Sequence, residues 1–313
     1  MDNVIIIVGP TASGKTKLSI ELAKEIDGEI ISADSMQIYK YMDIGTAKAD
    51  AEEMQGIQHY LVDEVTPDEE FSVARFQEKA YQYIEEILQR GKVPIVAGGT
   101  GLYVNSLIHN INFTETTSDW ELRERLKKEA EEKGNQYLHD KLREVDPEAA
   151  EKLHVNDVKR VIRALEVYEY TKMPISYHQE ISRQNPPRFN YILIGLKMDR
   201  QKLYDRINRR VDIMLEKGLV EEVRKLVQRG YDRNAVAMQG LGYKEILAYF
   251  RGEMTLEEAA EIIKMDSRRY AKRQITWFKR YENIHWVDLD ECGDFDEALK
   301  NIKNYIATSG IFL

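Results

Sequence analysis

Cysteine is almost missing from this 313-residue chain: Cys292 stands alone, which excludes an intramolecular disulfide. The chain opens straight into an apolar run, with no basic leader or cleavage site, so a reducing cytoplasm is the expected location. No apolar run is long enough to span a bilayer, and no membrane partner is expected. His59, His109, His139, His154, His178 and His285 are scattered and show no metal-ligand spacing. Repeats and low-complexity segments are absent. Positive charge is also in deficit, with 45 Lys and Arg against 54 Asp and Glu and a net charge of -9, which by itself argues against a nucleic-acid partner. The charges are segregated, however. Acids gather at 63–70, 129–132 and 253–261, and bases at Lys159-Arg160 with Arg163, at Arg206 with Arg209-Arg210, and over 268–280. Hydrophobic residues make up 43%, enough to core one large domain or two smaller ones.

What is present begins at Gly9-Pro10-Thr11-Ala12-Ser13-Gly14-Lys15-Thr16, which fits G-x-x-x-x-G-K-[ST]. The apolar run 4–8 before it has strand length, and 17–26 after it has helical spacing, with Leu18, Leu22, Ala23 and Ile26 on one face. A strand, a glycine loop and a helix N-terminus make an anion cradle. Lys15 is placed to reach the outer phosphate and Thr16 to hold a magnesium ion. Such a loop reads a phosphate chain, whether of a nucleotide such as ATP or of another diphosphate.

Apolar runs at 4–8, 29–31, 60–65, 93–96, 191–196 and 284–289 read as strands separated by helical segments such as 73–90. This alternation predicts a P-loop-like α/β fold, a mostly parallel sheet with helices on both faces. From 113 to 185 the pattern is helical, over 120–133, 136–145, 147–153 and 156–171, and Asn185-Pro186-Pro187 closes it. The expected organisation is a core formed by 1–112 and 186–313 with an all-helical insertion at 113–185. A long helix over 200–217 should stop at Gly218, and helices follow a glycine-rich loop at 238–243.

Ligands of open α/β sheets bind beyond the carboxyl ends of the strands. Besides the phosphate loop, two strand ends carry polar clusters: Ser32-Ala33-Asp34-Ser35-Met36-Gln37 and Gly98-Gly99-Thr100-Gly101. Asp34 could serve as a general base or support magnesium, or simply form an Asx turn. Gln37 offers a donor and an acceptor to a base edge. Thr100 stands among glycines that permit close backbone approach, or that only make a tight turn. Arg206 and Arg210 share a helical face and suit a diphosphate, unless they pair with Asp205 or Asp212. Lys159, Arg160 and Arg163 could meet a nucleic-acid backbone, or form a solvated face paired with Glu166 and Asp157. The segment 268–280 interleaves bases with Tyr270, Trp277 and Phe278, as RNA contacts require, although these aromatics equally suit a core.

Taken together, GPTASGKT at 9–16, SADSMQIYKYMDIGTAK at 32–48, VAGGTGLY at 96–103, the helix with Arg206 and Arg210, and QGLGYK at 239–244 resemble the tRNA dimethylallyltransferases of the bacterial type. Tyr41 stands where that pattern has glycine, Ala49 where it has proline, and Gly240 is unusual. No Cys/His zinc module follows. The resemblance implies transfer of a dimethylallyl group from dimethylallyl diphosphate to the exocyclic amine of the adenosine 3′ of the tRNA anticodon. It implies Asp34, Thr100 and Arg210 as catalytic residues. The diphosphate would lie on Gly9, Pro10, Thr11, Ala12, Ser13, Gly14, Lys15, Thr16 and Arg206, with Mg2+ on Thr16. The tRNA anticodon stem-loop would meet Asp34, Ser35, Met36, Gln37, Thr100, Arg123, Lys159, Arg160, Val161, Ile162 and Arg163. A monomer is favoured. The rival readings are a small-molecule kinase, an isopentenyltransferase acting on free adenine nucleotides, and a non-catalytic RNA-binding switch.

Overall fold

A computed structural model describes residues 1–111, 113, 119–232 and 234–309. The chain divides into two units, Met1–Ile108 with Phe189–Leu313, and His109–Arg188. The expected boundary at residue 112 lies outside the described residues. In chain order the first unit begins with β1 (Asn3–Val8), α1 (Lys15–Glu25), β2 (Gly28–Ser32), α2 (Ala51–Met54), β3 (His59–Tyr60), α3 (Val73–Gln89), β4 (Val93–Gly98) and α4 (Gly101–Ile108). The second unit holds α5 (Trp120–Lys133), α6 (Asn135–Val145), α7 (Pro147–Lys152), α8 (Val158–Thr171) and α9 (Ile175–Gln184). The first unit resumes with β5 (Asn190–Lys197), α10 (Arg200–Glu216), α11 (Leu219–Gln228), a 3-10 turn (Val236–Gln239), α12 (Tyr243–Phe250), α13 (Leu256–Phe278), β6 (His285–Asp288) and α14 (Phe295–Thr308).

The six strands form one sheet in the order β3-β2-β4-β1-β5-β6, and every pairing is parallel. The predicted parallel α/β class is therefore the one adopted. Strands buried on both faces explain the unbroken apolar run at the start of the chain. Val4, Ile6 and Val8 of β1 enter one core with Phe76, Ile84 and Phe278, while Ile5 and Ile7 enter the other with Leu18, Leu22, Ile302 and Ile306. Helix starts follow the sequence. Ser72 accepts from Arg75 N at the head of α3, and Thr255 with Glu258 closes a capping box at the head of α13.

One strand differs from expectation. Only His59–Tyr60 pairs with β2, because Leu61 (φ 59°) and Asp63 (φ 55°) turn the chain into the left-handed region. Tyr41, at φ 68°, also occupies that region, which accounts for glycine being the expected residue there.

The second unit has its own core of Leu122, Leu126, Leu138, Leu142, Val161 and Ile162. Two of its helices have acidic side-chain caps. Asp119 accepts from Leu122 N, and the buried Asp146 accepts from Ala149 N as well as from Ser176.

Candidate active site

β2, β4 and β1 are neighbours, so the three polar clusters read from the sequence meet at adjacent strand ends. The phosphate loop leaves β1, and Gly14 (φ 93°) turns it into α1, which starts with no side-chain cap. The N–H groups of its first turn thus face a ligand position. Lys15 Nζ donates to Pro10 O at 2.7 Å, closing the loop on itself. Ser13 Oγ is buried and unpartnered. Burial pushes the Lys15 ammonium down to about 7, the Arg210 guanidinium adding to the effect and Asp34 opposing it. Arg210, on α10, reaches Thr11 Oγ1 at 3.3 Å. Burial also draws its pKa below the usual arginine range, against the pull of Asp34 and Glu53.

Asp34, two residues beyond β2, accepts from Met36 N at 2.8 Å, the Asx turn, yet also lines two of the cavities beside the loop. Thr100 Oγ1 accepts from Ser35 N at 3.0 Å, and Thr100 N donates to Ala33 O at 3.1 Å, so the β4 end fixes the path of residues 33–36. Gln37 accepts from Ser32 Oγ at 3.0 Å, and its Nε2 reaches the carbonyls of Thr46 and Ala47 at 3.4 Å.

Three cavities adjoin these groups. One, about 580 Å³, is bounded by Thr11, Asp34, Arg210 and Tyr270 and walled by Met36, Ile207, Val211, Met214 and Ile263. A second, about 90 Å³, lies among Lys15, Thr16, Asp34, Gln37 and His59. A third, about 340 Å³, is lined by Gly14, Lys15, Thr16, Glu53 and Arg210. Tyr270 lines the same two cavities as Asp34, and burial pushes its hydroxyl up to about 12. His59 Nδ1 is 2.8 Å from Ile57 O, and burial lowers the ring's pKa.

Some residues sequence reasoning passed over are central here. Gln274 of α13 accepts from Thr11 N at 2.9 Å and donates to Gly99 O at 3.0 Å, tying the phosphate loop to the β4 end. A Cβ at Gly99 would come within 2.1 Å of Gln274 Nε2, and one at Gly101 within 2.4 Å of the Trp277 ring. These glycines serve the approach of α13. Glu222 of α11 accepts from the N–H groups of Asp43 (2.9 Å), Ile44 (2.7 Å) and Gly45 (3.1 Å) and from Tyr243 Oη (2.7 Å). Lys48 pairs with Asp43 at 2.7 Å and Asp63 at 2.6 Å, so the DIGTAK stretch is a tethered loop forming one cavity wall. A Cβ at Gly240 would lie 2.3 Å from Met36 Cε, so a larger residue there would displace the end of the Met36 side chain. Such contacts join residues far apart in the chain and leave no local signal.

Arg206 is exposed one turn before Arg210, 3.8 Å from Met198 Sδ, and lines none of these cavities. The alternative carboxylates are engaged elsewhere: Asp205 accepts from Gln201 and Asp212 pairs with Lys264. Phe278 is core, Trp277 packs on Gly101, and Tyr270 faces the cavity. In the second unit, Arg123 meets the buried Glu166 through two bonds of 2.8 and 3.0 Å, and Arg163 meets it at 2.6 Å. Lys159 and Arg160 are exposed, Arg160 lying 3.4 Å from Asp157. Val161 and Ile162 correct the sequence reading: helical spacing turns both side chains into the core, where they cannot meet a ligand.

Magnesium fits the donor set. Thr16, Ser32, Asp34 and Gln37 offer hard oxygens in one small cavity. Among the described residues no cluster of three or more His, Cys, Asp or Glu makes a closed cage.

The parallel sheet, the uncapped glycine loop and the cations above it define a phosphate-loop enzyme. The sequence matches the family described as IPP transferase over residues 37–281. It is 70% identical over 313 residues to the tRNA dimethylallyltransferase of Acetivibrio thermocellus, covering 100% of both chains. Among solved structures, the tRNA isopentenylpyrophosphate transferase of Bacillus halodurans is similar at 48% identity and a TM-score of 0.74, covering 98% of this chain and 96% of that one. A eukaryotic dimethylallyltransferase acting on tRNA is similar at 31% identity and a TM-score of 0.84, covering 99% of this chain and 80% of that one. This chain belongs to the bacterial-type tRNA dimethylallyltransferase family.

Proposed function

We propose that the 580 Å³ cavity holds dimethylallyl diphosphate against an extruded adenine, and that Asp34 takes the proton of its N6 amine. Family membership makes the chain an enzyme transferring a dimethylallyl group to a tRNA adenosine near the anticodon; the finer reading concerns which adenosine, which groups and in what order. The acceptor is the adenosine just 3′ of the anticodon. The observation that carries this reading is a single cavity with Arg210 and Asp34 at its polar end and Ile207, Val211, Met214 and Ile263 along its wall. A cation for a diphosphate, a carboxylate for a proton and an apolar surface for five carbons are the needs of prenyl transfer.

An adenine amine is a poor nucleophile, because its lone pair is delocalised. The reaction therefore depends on stabilising the departing diphosphate, a task for the loop N–H groups, Lys15 and Arg210. Magnesium bound at Thr16 would supply further neutralisation of the leaving oxygens. Asp34 accepts the amine proton as the new C–N bond forms. The base leaves the anticodon-loop stack at a cost of a few kcal/mol, and Ser35, Met36, Gln37 and Thr100 receive it. Lys159 and Arg160, exposed on α8, offer charge to the tRNA backbone, with Arg123 and Arg163 beside them.

The test is incubation of the protein with magnesium, dimethylallyl diphosphate and unmodified tRNA, followed by nucleoside mass analysis. The expected result is one dimethylallyl mass gain on the adenosine 3′ of the anticodon. Gain on AMP instead would favour the free-nucleotide reading. ATP consumption without a gain would favour a kinase.

A further inference from the structure

One half-buried histidine is unused by this reaction. His59 opens β3, beside Ile30 of β2, and lines the 90 Å³ cavity with Lys15, Thr16 and Asp34. Its Nδ1 lies 2.8 Å from the Ile57 carbonyl, which can only accept. Nδ1 therefore carries the hydrogen, and in the neutral ring Nε2 keeps the lone pair. Nε2 is buried and has no partner among the described residues. A buried acceptor without a donor is costly, so the ligand that fills this cavity should supply one.

The two ligands expected here differ in that respect. Diphosphate oxygens are themselves acceptors and would repel the lone pair. A water polarised by a divalent cation is a strong donor. We propose that His59 Nε2 accepts a hydrogen bond from a water on the magnesium that Thr16 would hold, and so helps to orient the ion's hydration shell. His59 is then a metal-positioning residue, fixed by its backbone bond as such ligand-orienting groups commonly are. The inference rests on the reading of Thr16 as the magnesium site.

Mn2+ in place of magnesium, with inorganic diphosphate present, allows free and bound ion to be counted by electron paramagnetic resonance. His59→Asn keeps a donor for Ile57 O and loses the Nε2 acceptor, so Mn2+ affinity should fall about tenfold, with diphosphate affinity in chelator unchanged. His59→Gln, whose Oε1 reaches the Nε2 position, should recover part of that loss. Wild-type protein carrying 15N-histidine should show spin-echo modulation from a nitrogen near the bound Mn2+, a readout independent of any variant's folding. Loss of Mn2+ binding in Thr16→Ala with wild-type affinity in His59→Asn, or no histidine modulation in the wild type, would overturn the role of His59 and leave the metal site standing. No Mn2+ binding by the wild type, or full binding by Thr16→Ala, would overturn the metal site itself and this proposal with it.

Discussion

Lys15 and Arg210 of the α/β unit and Arg123 and Arg163 of the helical unit are held in opposite ways. In the α/β unit, among the described residues, Lys15 bonds a loop carbonyl and Arg210 a threonine hydroxyl, and both line cavities. In the helical unit, Arg123 and Arg163 close on Glu166, whose side chain is 0% exposed. Burial would push that carboxylate up, but the two guanidinium groups and the N–H of Asp119 outweigh it and hold Glu166 below its usual range. A cation left short of a counter-charge is costly in the empty protein, and an arriving anion relieves the cost. A cation already closed on a carboxylate supports the fold and has less to offer a ligand. The contrast separates residues that look alike in the sequence.

The largest effect should come from the group that answers those cations. Asp34→Ala should lower turnover about 10³-fold, within the range for a general base, with tRNA affinity little changed; single-turnover kinetics beside filter binding measures both. Arg210→Ala should cost about 10²-fold in kcat/KM for the donor, whereas Arg206→Ala, exposed and off the cavity, should cost only about threefold. Equal losses would mean that both arginines grip the diphosphate. In the helical unit, Glu166→Gln should destabilise the protein by about 2 kcal/mol in chemical denaturation, while neutralising Lys159 and Arg160 should leave stability alone and reduce the salt slope of tRNA binding by about two. The reverse pattern would erase the contrast between the units.

The last effect concerns pH. Lys15 in the free protein titrates at about 7, and a neighbouring diphosphate favours its ammonium, raising that value. Donor affinity is therefore full below pH 7 and should fall by up to about tenfold per pH unit above it, until the raised value is reached. Binding at pH 8 should take up a proton, seen as a buffer-dependent heat in calorimetry. Lys15→Arg should abolish both.

The fold was legible wherever one periodicity ruled. The buried run 4–8 and the helical spacing after Gly14 could only be strand and helix around a phosphate loop. The run 60–65 misled because β-forming residues also fill a turn when backbone torsions, silent in composition, favour it. Near the loop, local reading placed Asp34 and Thr100 at neighbouring strand ends because each follows a strand by a few residues. It grouped Val161 and Ile162 with their basic neighbours through adjacency, although a helix points adjacent residues about 100° apart. Gln274 and Glu222 escaped because their partners lie 263 and 177–179 positions away.

The Gln274 bridge also has a consequence during synthesis. Thr11 is translated long before its partner 263 positions on, and β1 waits for β5, its neighbour from beyond the helical unit. Chains still on the ribosome, or cut short before α13, therefore carry the glycine motif without the finished phosphate cradle. Competence to bind the donor should arrive late and abruptly, so that incomplete chains do not sequester an isoprenoid they cannot transfer.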